Sequence, residues 1–146
     1  MKKLVAFLMV AALVVTAACK PETVRGVVAG IQVGAGELRG EVEAGVAAGD
    51  YTQAEADFLF PIIDELETNA EAVAARTAAY DGLTPAARRV FVLDAITHVG
   101  GSIERLSQKG IGIKSAQGRA RLDKYLRQGR RAVSVLRVIE AAIPRK

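Results

Sequence analysis

The chain reads as an all-α protein, an antiparallel four-helix bundle that follows a short apolar leader. Three observations predict this. Apolar residues recur at three- and four-residue spacing along four segments of roughly 20 to 28 residues, the pattern of helices that bury one face. Each segment is bounded by residues that start or stop helices, with short connections between. No stretch of comparable length alternates with the two-residue period of a strand. The length of 146 residues supplies one domain. Hydrophobic residues make up 51% of the chain but aromatic ones only 5%, so the core must be built from Ala, Val, Leu and Ile. An alternative architecture is a three-helix core with a glycine-rich first helix loosely attached.

The leader is MKKLVAFLMVAALVVTAAC. Lys2 and Lys3 form a positive start, Leu4 to Val15 an apolar run, and Thr16, Ala17 and Ala18 a small-residue site. This is the anatomy of a secretory signal, too short to cross a hydrocarbon core of about 30 Å as a helix. The segment Val15-Thr16-Ala17-Ala18-Cys19, which carries the only cysteine, resembles the lipobox of bacterial lipoproteins. The resemblance implies a signal peptide over 1–18 removed in the mature protein, a covalent lipid (palmitate-type acyl chains) on Cys19, and a mature bundle over 19–146 with 19–22 as a lipid-proximal tether. It also implies an exported, membrane-anchored protein of the cell envelope. Lys20, rather than Asp, after the cysteine implies the outer membrane, facing the periplasm. Thr16 departs from the Leu usual at that position. Several acyl chains at about 0.8 kcal/mol per buried CH₂ form a firm anchor. With its single cysteine used in this way, the mature chain has no disulfide framework.

The first helix is expected from Pro21 to Ala48, with Val24, Val28, Ile31, Ala35, Leu38 and Val42 on one face and Gly49-Asp50 as its stop. Thr52 and Glu55 have the spacing of a capping box and open the second helix, Thr52 to Tyr80. Its stripe is Leu59, Ile62, Ile63, Leu66, Ala70, Val73 and Tyr80, and Pro61 is expected to kink it or to split off its first turns. Thr84-Pro85 provides an N-cap with proline at N1 for the third helix, whose inner face is Val92, Ile96, Val99, Ile103 and Leu106. Gly100-Gly101 weakens its middle. Lys109 to Lys114 is a loop with apolar plugs, and Ser115 caps the last helix. Leu122, Tyr125, Leu126, Val133, Leu136, Ile139 and Ile143 share a face there, and Pro144 ends it.

Charge is divided along the chain. Residues 20–81 carry 4 Lys+Arg against 12 Asp+Glu, and residues 82–146 carry 14 against 4. An acidic helical hairpin therefore lies beside a basic one, and their rims are expected to pair. On the last helix, Arg119, Lys124, Arg127, Arg130, Arg131 and Arg137 form a broad arc opposite the apolar stripe, with Asp123 as its one acid. That arc is a candidate face for lipid phosphates, an anionic glycan or an acidic envelope protein. Nucleic acid is not expected, since no stacking aromatics are interleaved and an exported chain seldom meets it.

Gly26, Gly30 and Gly34 recur every four residues on the first helix. Each interior glycine costs about 0.5–1 kcal/mol relative to Ala, so the strip requires either an offsetting contact or a weakly ordered helix. Contact with another helix or a second copy of the chain, hence homo-oligomerisation, is one reading and a flexible tether the other.

Asp94, His98 and Ser102 stand four apart on the third helix and spell a triad, but stacking along one helix opposite the apolar stripe supplies neither nucleophile geometry nor an oxyanion hole. One His and one Cys exclude the usual zinc sets, and Asp64, Glu65, Glu67 and Glu71 lack the Glu-x-x-His of di-iron bundles. No metal or other cofactor is expected. The loop Gly110 to Ser115 lacks the spacing of a phosphate loop. The expectation is a non-catalytic structural or protein-interaction module, the alternative an envelope enzyme with an acidic site the sequence does not reveal.

Overall fold

The computed structural model describes residues 20–145, so residues 1–18 and Cys19 lie outside the described part. Four long helices, α1 (Pro21–Ala47), α2 (Gln53–Thr77), α3 (Pro85–Gly110) and α4 (Ala116–Ala142), run up, down, up and down. A single 3₁₀ turn, Tyr80–Gly82, precedes α3. The helices pack in the cyclic order α1–α2–α3–α4, with α4 returning to α1. The glycine-rich first helix is a full member of the bundle. Its buried residues, Val24, Val28, Ile31, Ala35, Leu38 and Val42, are the predicted ones, with Gly45 added. The helix begins at Pro21, the start expected for it.

Local chemistry explains where each helix begins and ends. At α2, Thr52 and Glu55 form the reciprocal capping box, with the Thr52 N–H donating to the Glu55 carboxylate at 2.8 Å. Thr84 and Ser115 cap α3 and α4 by accepting from the Ala87 and Gly118 N–H groups. Gly49 ends α1 at φ 78°, a left-handed position that favours glycine. The Asp50 N–H then donates to the Gly45 carbonyl and the Gly49 N–H to that of Val46, which satisfies carbonyls that the helix end leaves open.

The expected break at Pro61 does not occur, and α2 runs unbroken from Gln53 to Thr77. The proline is exposed, and the carbonyl it deprives of a donor belongs to Asp57, also an exposed residue, so the lost bond does not leave a residue of the core unpaired. Gly100-Gly101 likewise leaves α3 continuous. The inner face of α3 is wider than the predicted stripe. Phe91, Ala95 and Ser102 are buried beside Val92, Val99, Ile103 and Leu106, while Ile96 is only partly covered. A helix that touches two neighbours buries a broader arc than a single row of apolar spacing shows.

Tyr51, in the first connection, is 3% exposed and fills the end of the bundle between α1 and α4. Its hydroxyl donates to the Gly118 carbonyl at 2.7 Å. Glycine is needed on both sides of the ring. A Cβ at Gly45 would collide with it, and one at Gly118 would meet the Asp50 carbonyl oxygen at 2.6 Å. At the opposite end Tyr80 and Phe91 pack edge to face, ring centroids 5.3 Å apart.

These packings separate two kinds of glycine. Gly118→Ala forces backbone to move and should lower stability by about 1–3 kcal/mol. Gly36→Ala, where a Cβ meets nothing within 4 Å, should raise it by about 0.4–1 kcal/mol. Urea unfolding monitored by circular dichroism reads both, and equal effects would contradict the packing.

Candidate functional site

Three regions could engage another molecule: the outer face of α4, the groove between α1 and α4, and the polar seam between α2 and α3. On α4 the structure divides the predicted basic residues into two sets. Arg119 donates to the carbonyls of Ile113 at 2.7 Å and Lys114 at 3.1 Å, so it is spent on the α3–α4 connection. Arg130 donates to the Ser107 hydroxyl on α3. Lys124, Arg127, Arg131 and Arg137 are exposed, and among the described residues none of them forms an ion pair. Lys124 lies 5.3 Å from the Tyr125 ring centroid. At 100° per residue Lys124, Arg127 and Arg131 share the outermost strip with Val135 and Val138. Those valines are 40% and 49% exposed.

The expected pairing of the rims is observed at specific points. Arg121 of α4 binds Glu41 of α1 and, at 2.9 Å, Asp50. Hydrogen bonding to Glu41, ahead of a smaller opposing effect of burial, raises the guanidinium's already high pKa. Arg105 of α3 binds Glu65 of α2. Arg39 binds Asp64 and Glu67 within the acidic hairpin.

Gly26, Gly30 and Gly34 do not pack against a helix within the chain, and a Cβ on any of them would meet nothing within 4 Å. They line a groove between α1 and α4 with a volume of about 570 Å³. Its floor reaches Leu66 of α2 and Ile103 and Leu106 of α3, and its α4 wall includes Tyr125, Gly129 and Ala132. Burial, and secondarily the charges of Glu41 and Glu37, pushes the Tyr125 phenol pKa upward. The sequence carries a signal for this wall: Gly129 and Ala132 are small residues on the helix that closes the ring against the glycine strip.

A reading of Asp94, His98 and Ser102 as a solvent-facing row is corrected. Ser102 is fully buried and lies at the α2/α3 seam. Its hydroxyl donates to the His98 carbonyl and accepts from Asn69 and Arg105, each at 3.2 Å. Asp94 pairs with Arg76 at 3.1 Å, and His98 is exposed. The wider inner face of α3 carries Ser102 inward, one turn before Leu106. In the α3–α4 connection, Ile113 is the buried plug and Ile111 is 80% exposed. The Lys114 N–H donates to Glu55 at 2.8 Å. With the Thr52 N–H first and this bond second, the Glu55 carboxyl is held below its ordinary pKa. Among the described residues no group of three or more His, Cys, Asp or Glu side chains could hold a metal ion. No described helix is long and apolar enough to cross a membrane.

Compared with protein-family models, curated proteins and solved structures, the chain matches none.

Burial pushes the Tyr51 phenol up to about 12, against a smaller lowering by the Arg121 charge and with a smaller upward push from Glu41. The unfolded phenol ionises near pH 10, so its contribution to stability is intact below pH 10 and is lost as pH rises toward 12. The unfolding free energy of the wild type, read from urea titrations, should fall across that window by up to about 1.4 kcal/mol per pH unit. Tyr51→Phe should flatten the fall and lower neutral-pH stability by about 1 kcal/mol, because the Gly118 carbonyl loses its donor. An unchanged slope would count against this role for Tyr51.

Proposed function

We propose that the chain is a non-catalytic, lipid-anchored module of the cell envelope whose α4 face rests on an anionic surface. The observation that carries the second half of this reading is the uncompensated strip on α4. Arg121 is neutralised by Glu41 and Asp50, whereas Lys124, Arg127 and Arg131 point away from the acidic hairpin beside two exposed valines. Cations interleaved with short apolar side chains on an exposed helix suit the boundary between lipid headgroups and acyl chains. The lipobox-like Val15 to Cys19 supports the anchor, and the start of α1 at Pro21 would hold the bundle within a few residues of it.

The alternative, an enzyme with an acidic site, has less support. Asp64, Glu65 and Glu67 are engaged by Arg39 or Arg105 on the surface. Ser102 is the only polar side chain in the buried set of described residues, and its hydrogen bonds are satisfied.

Two measurements test the proposal. In cells, the wild type should incorporate an acyl label and sediment with membranes, and Cys19→Ser should lose the label. In low salt, the purified Cys19→Ser chain should co-sediment with vesicles containing anionic lipid and not with neutral ones. Replacing Lys124, Arg127 and Arg131 together by Ala should weaken that binding on the order of a hundredfold, at about 1 kcal/mol per cation. Equal binding to neutral vesicles would remove the anionic-surface reading, and an unlabelled wild type would remove the anchor.

A further inference from the structure

A fourth region, the seam between α3 and α4, holds cations apart from the outward strip. Arg130, Ser134 and Arg137 fall at i, i+4 and i+7 on α4 and so form one line along the helix. At 100° per residue that line lies roughly 100° round α4 from Lys124 and Arg131. It is on the side that meets α3, where Arg130 reaches Ser107 and Val133 faces Gly100. Across the seam Thr97, Gly100 and Glu104 repeat at i, i+3 and i+7 on α3. The two lines wall an open depression of about 530 Å³ over Ile103 and Val133. Unlike the groove at α1, its walls carry charged and hydroxyl-bearing side chains.

Those polar groups are only partly used within the chain. Arg130 spends one N–H on the Ser107 hydroxyl, which ties its guanidinium to α3 and leaves its other donors open. Arg137 is exposed, and among the described residues it forms neither an ion pair nor a hydrogen bond. Glu104 accepts from Gln108 at 3.4 Å and pairs with neither arginine. The Ser134 hydroxyl donates to the Arg130 carbonyl at 2.9 Å, so its oxygen is left to accept. Gly100 keeps the space between the lines open. A Cβ there would stand 3.6 Å from Val133, an ordinary contact, so packing does not demand glycine at this position.

Two guanidiniums beside two acceptors select a ligand that is anionic at one point and rich in hydroxyls next to it. A bare polyanion meets Glu104 as repulsion, and a neutral sugar leaves both guanidiniums without a counter-charge. Arg130 and Arg137 stand two turns or about 10 Å apart on α4 and approach the depression from its two ends. Phosphate offers oxygens in three directions to such a pair, whereas a carboxylate offers two in one plane.

We propose that the α3/α4 seam binds a phosphorylated sugar, its phosphate on Arg130 and Arg137 and its hydroxyls on Glu104 and Ser134. A soluble glycan and a lipid headgroup both carry this chemistry. The inference goes beyond the proposed contact with an anionic surface and does not rest on it, since it uses neither Lys124, Arg127 and Arg131 nor the anchor at Cys19.

The test is calorimetric titration of the full chain carrying Cys19→Ser with glucose 1-phosphate, inorganic phosphate and glucose in turn. One saturable site is expected, at least about tenfold tighter for glucose 1-phosphate than for either of the others. Arg137→Gln should weaken it by about tenfold or more and leave the thermal melt unchanged, because Arg137 has no partner in the fold. Glu104→Gln should narrow the gap between glucose 1-phosphate and inorganic phosphate. Lys114→Gln, which removes a charge from the α3–α4 connection, should leave binding within about twofold.

No saturable binding would overturn the proposal. So would binding of inorganic phosphate or glucose as tight as that of glucose 1-phosphate, or equal losses in Arg137→Gln and Lys114→Gln, the mark of diffuse charge. Vesicles containing phosphatidylinositol, set against vesicles of equal charge containing phosphatidylserine, distinguish the sources. A preference for the former that Arg137→Gln abolishes supports a lipid headgroup, and no preference alongside bound glucose 1-phosphate supports a free or polymeric glycan. The sugar phosphate titration contains no vesicles, so its failure and failure of the α4 surface are read separately.

Discussion

The fold depends on closing its first helix onto its last, the one pair of neighbours in the ring that no connection joins. Three of the four seams are brought together by short loops, which limit how far consecutive helices can separate. The α1/α4 seam has to be held by contacts alone. At one end those contacts form a compact knot. Tyr51 lies between Gly45 and Gly118 and donates to the latter's carbonyl, and Arg121 reaches both Glu41 and Asp50. The knot couples the end of α1, the first connection and the start of α4, so a side chain added at either glycine displaces the element that closes the ring.

Along the remainder of the same seam the contact loosens. Glycines that meet nothing occupy α1 where larger residues would have sealed it, and the opening descends to the residues of α2 and α3 that form the core. One residue type thus does opposite things within a single helix. Gly45 is absent of side chain because Tyr51 fills the space, and Gly26, Gly30 and Gly34 leave their space unfilled. The seam is consequently fixed at one end and open along its length.

The divided charge of the chain follows the same geometry. Arg105 and Arg121 lie at seams and find carboxylates on the neighbouring acidic helices. Lys124, Arg127 and Arg131 are on the same basic hairpin but turn outward, beyond reach of those acids, and exposed pairs would in any case contribute little. Neutralisation is therefore local to the seams, and three of the cations without an ion pair among the described residues share one outward strip.

The sequence by itself determined the four helices, most of their inner faces and their ends. Those features are short-range: Thr52 with Glu55, Thr84 with Pro85 and Gly49 after α1 act within a turn of the backbone, and the 3.6-residue period selects the buried face. It also showed that α4 is basic and that Gly26, Gly30 and Gly34 are aligned. Only the tertiary structure decided which arginines remain free, that Ser102 turns inward, that Pro61 is accommodated, and that the aligned glycines line a groove instead of a helix contact. Each of those depends on what a neighbouring helix places opposite the residue. Tyr51 is the clearest case, since its burial requires two glycines 73 positions apart in the chain to meet on either side of one ring.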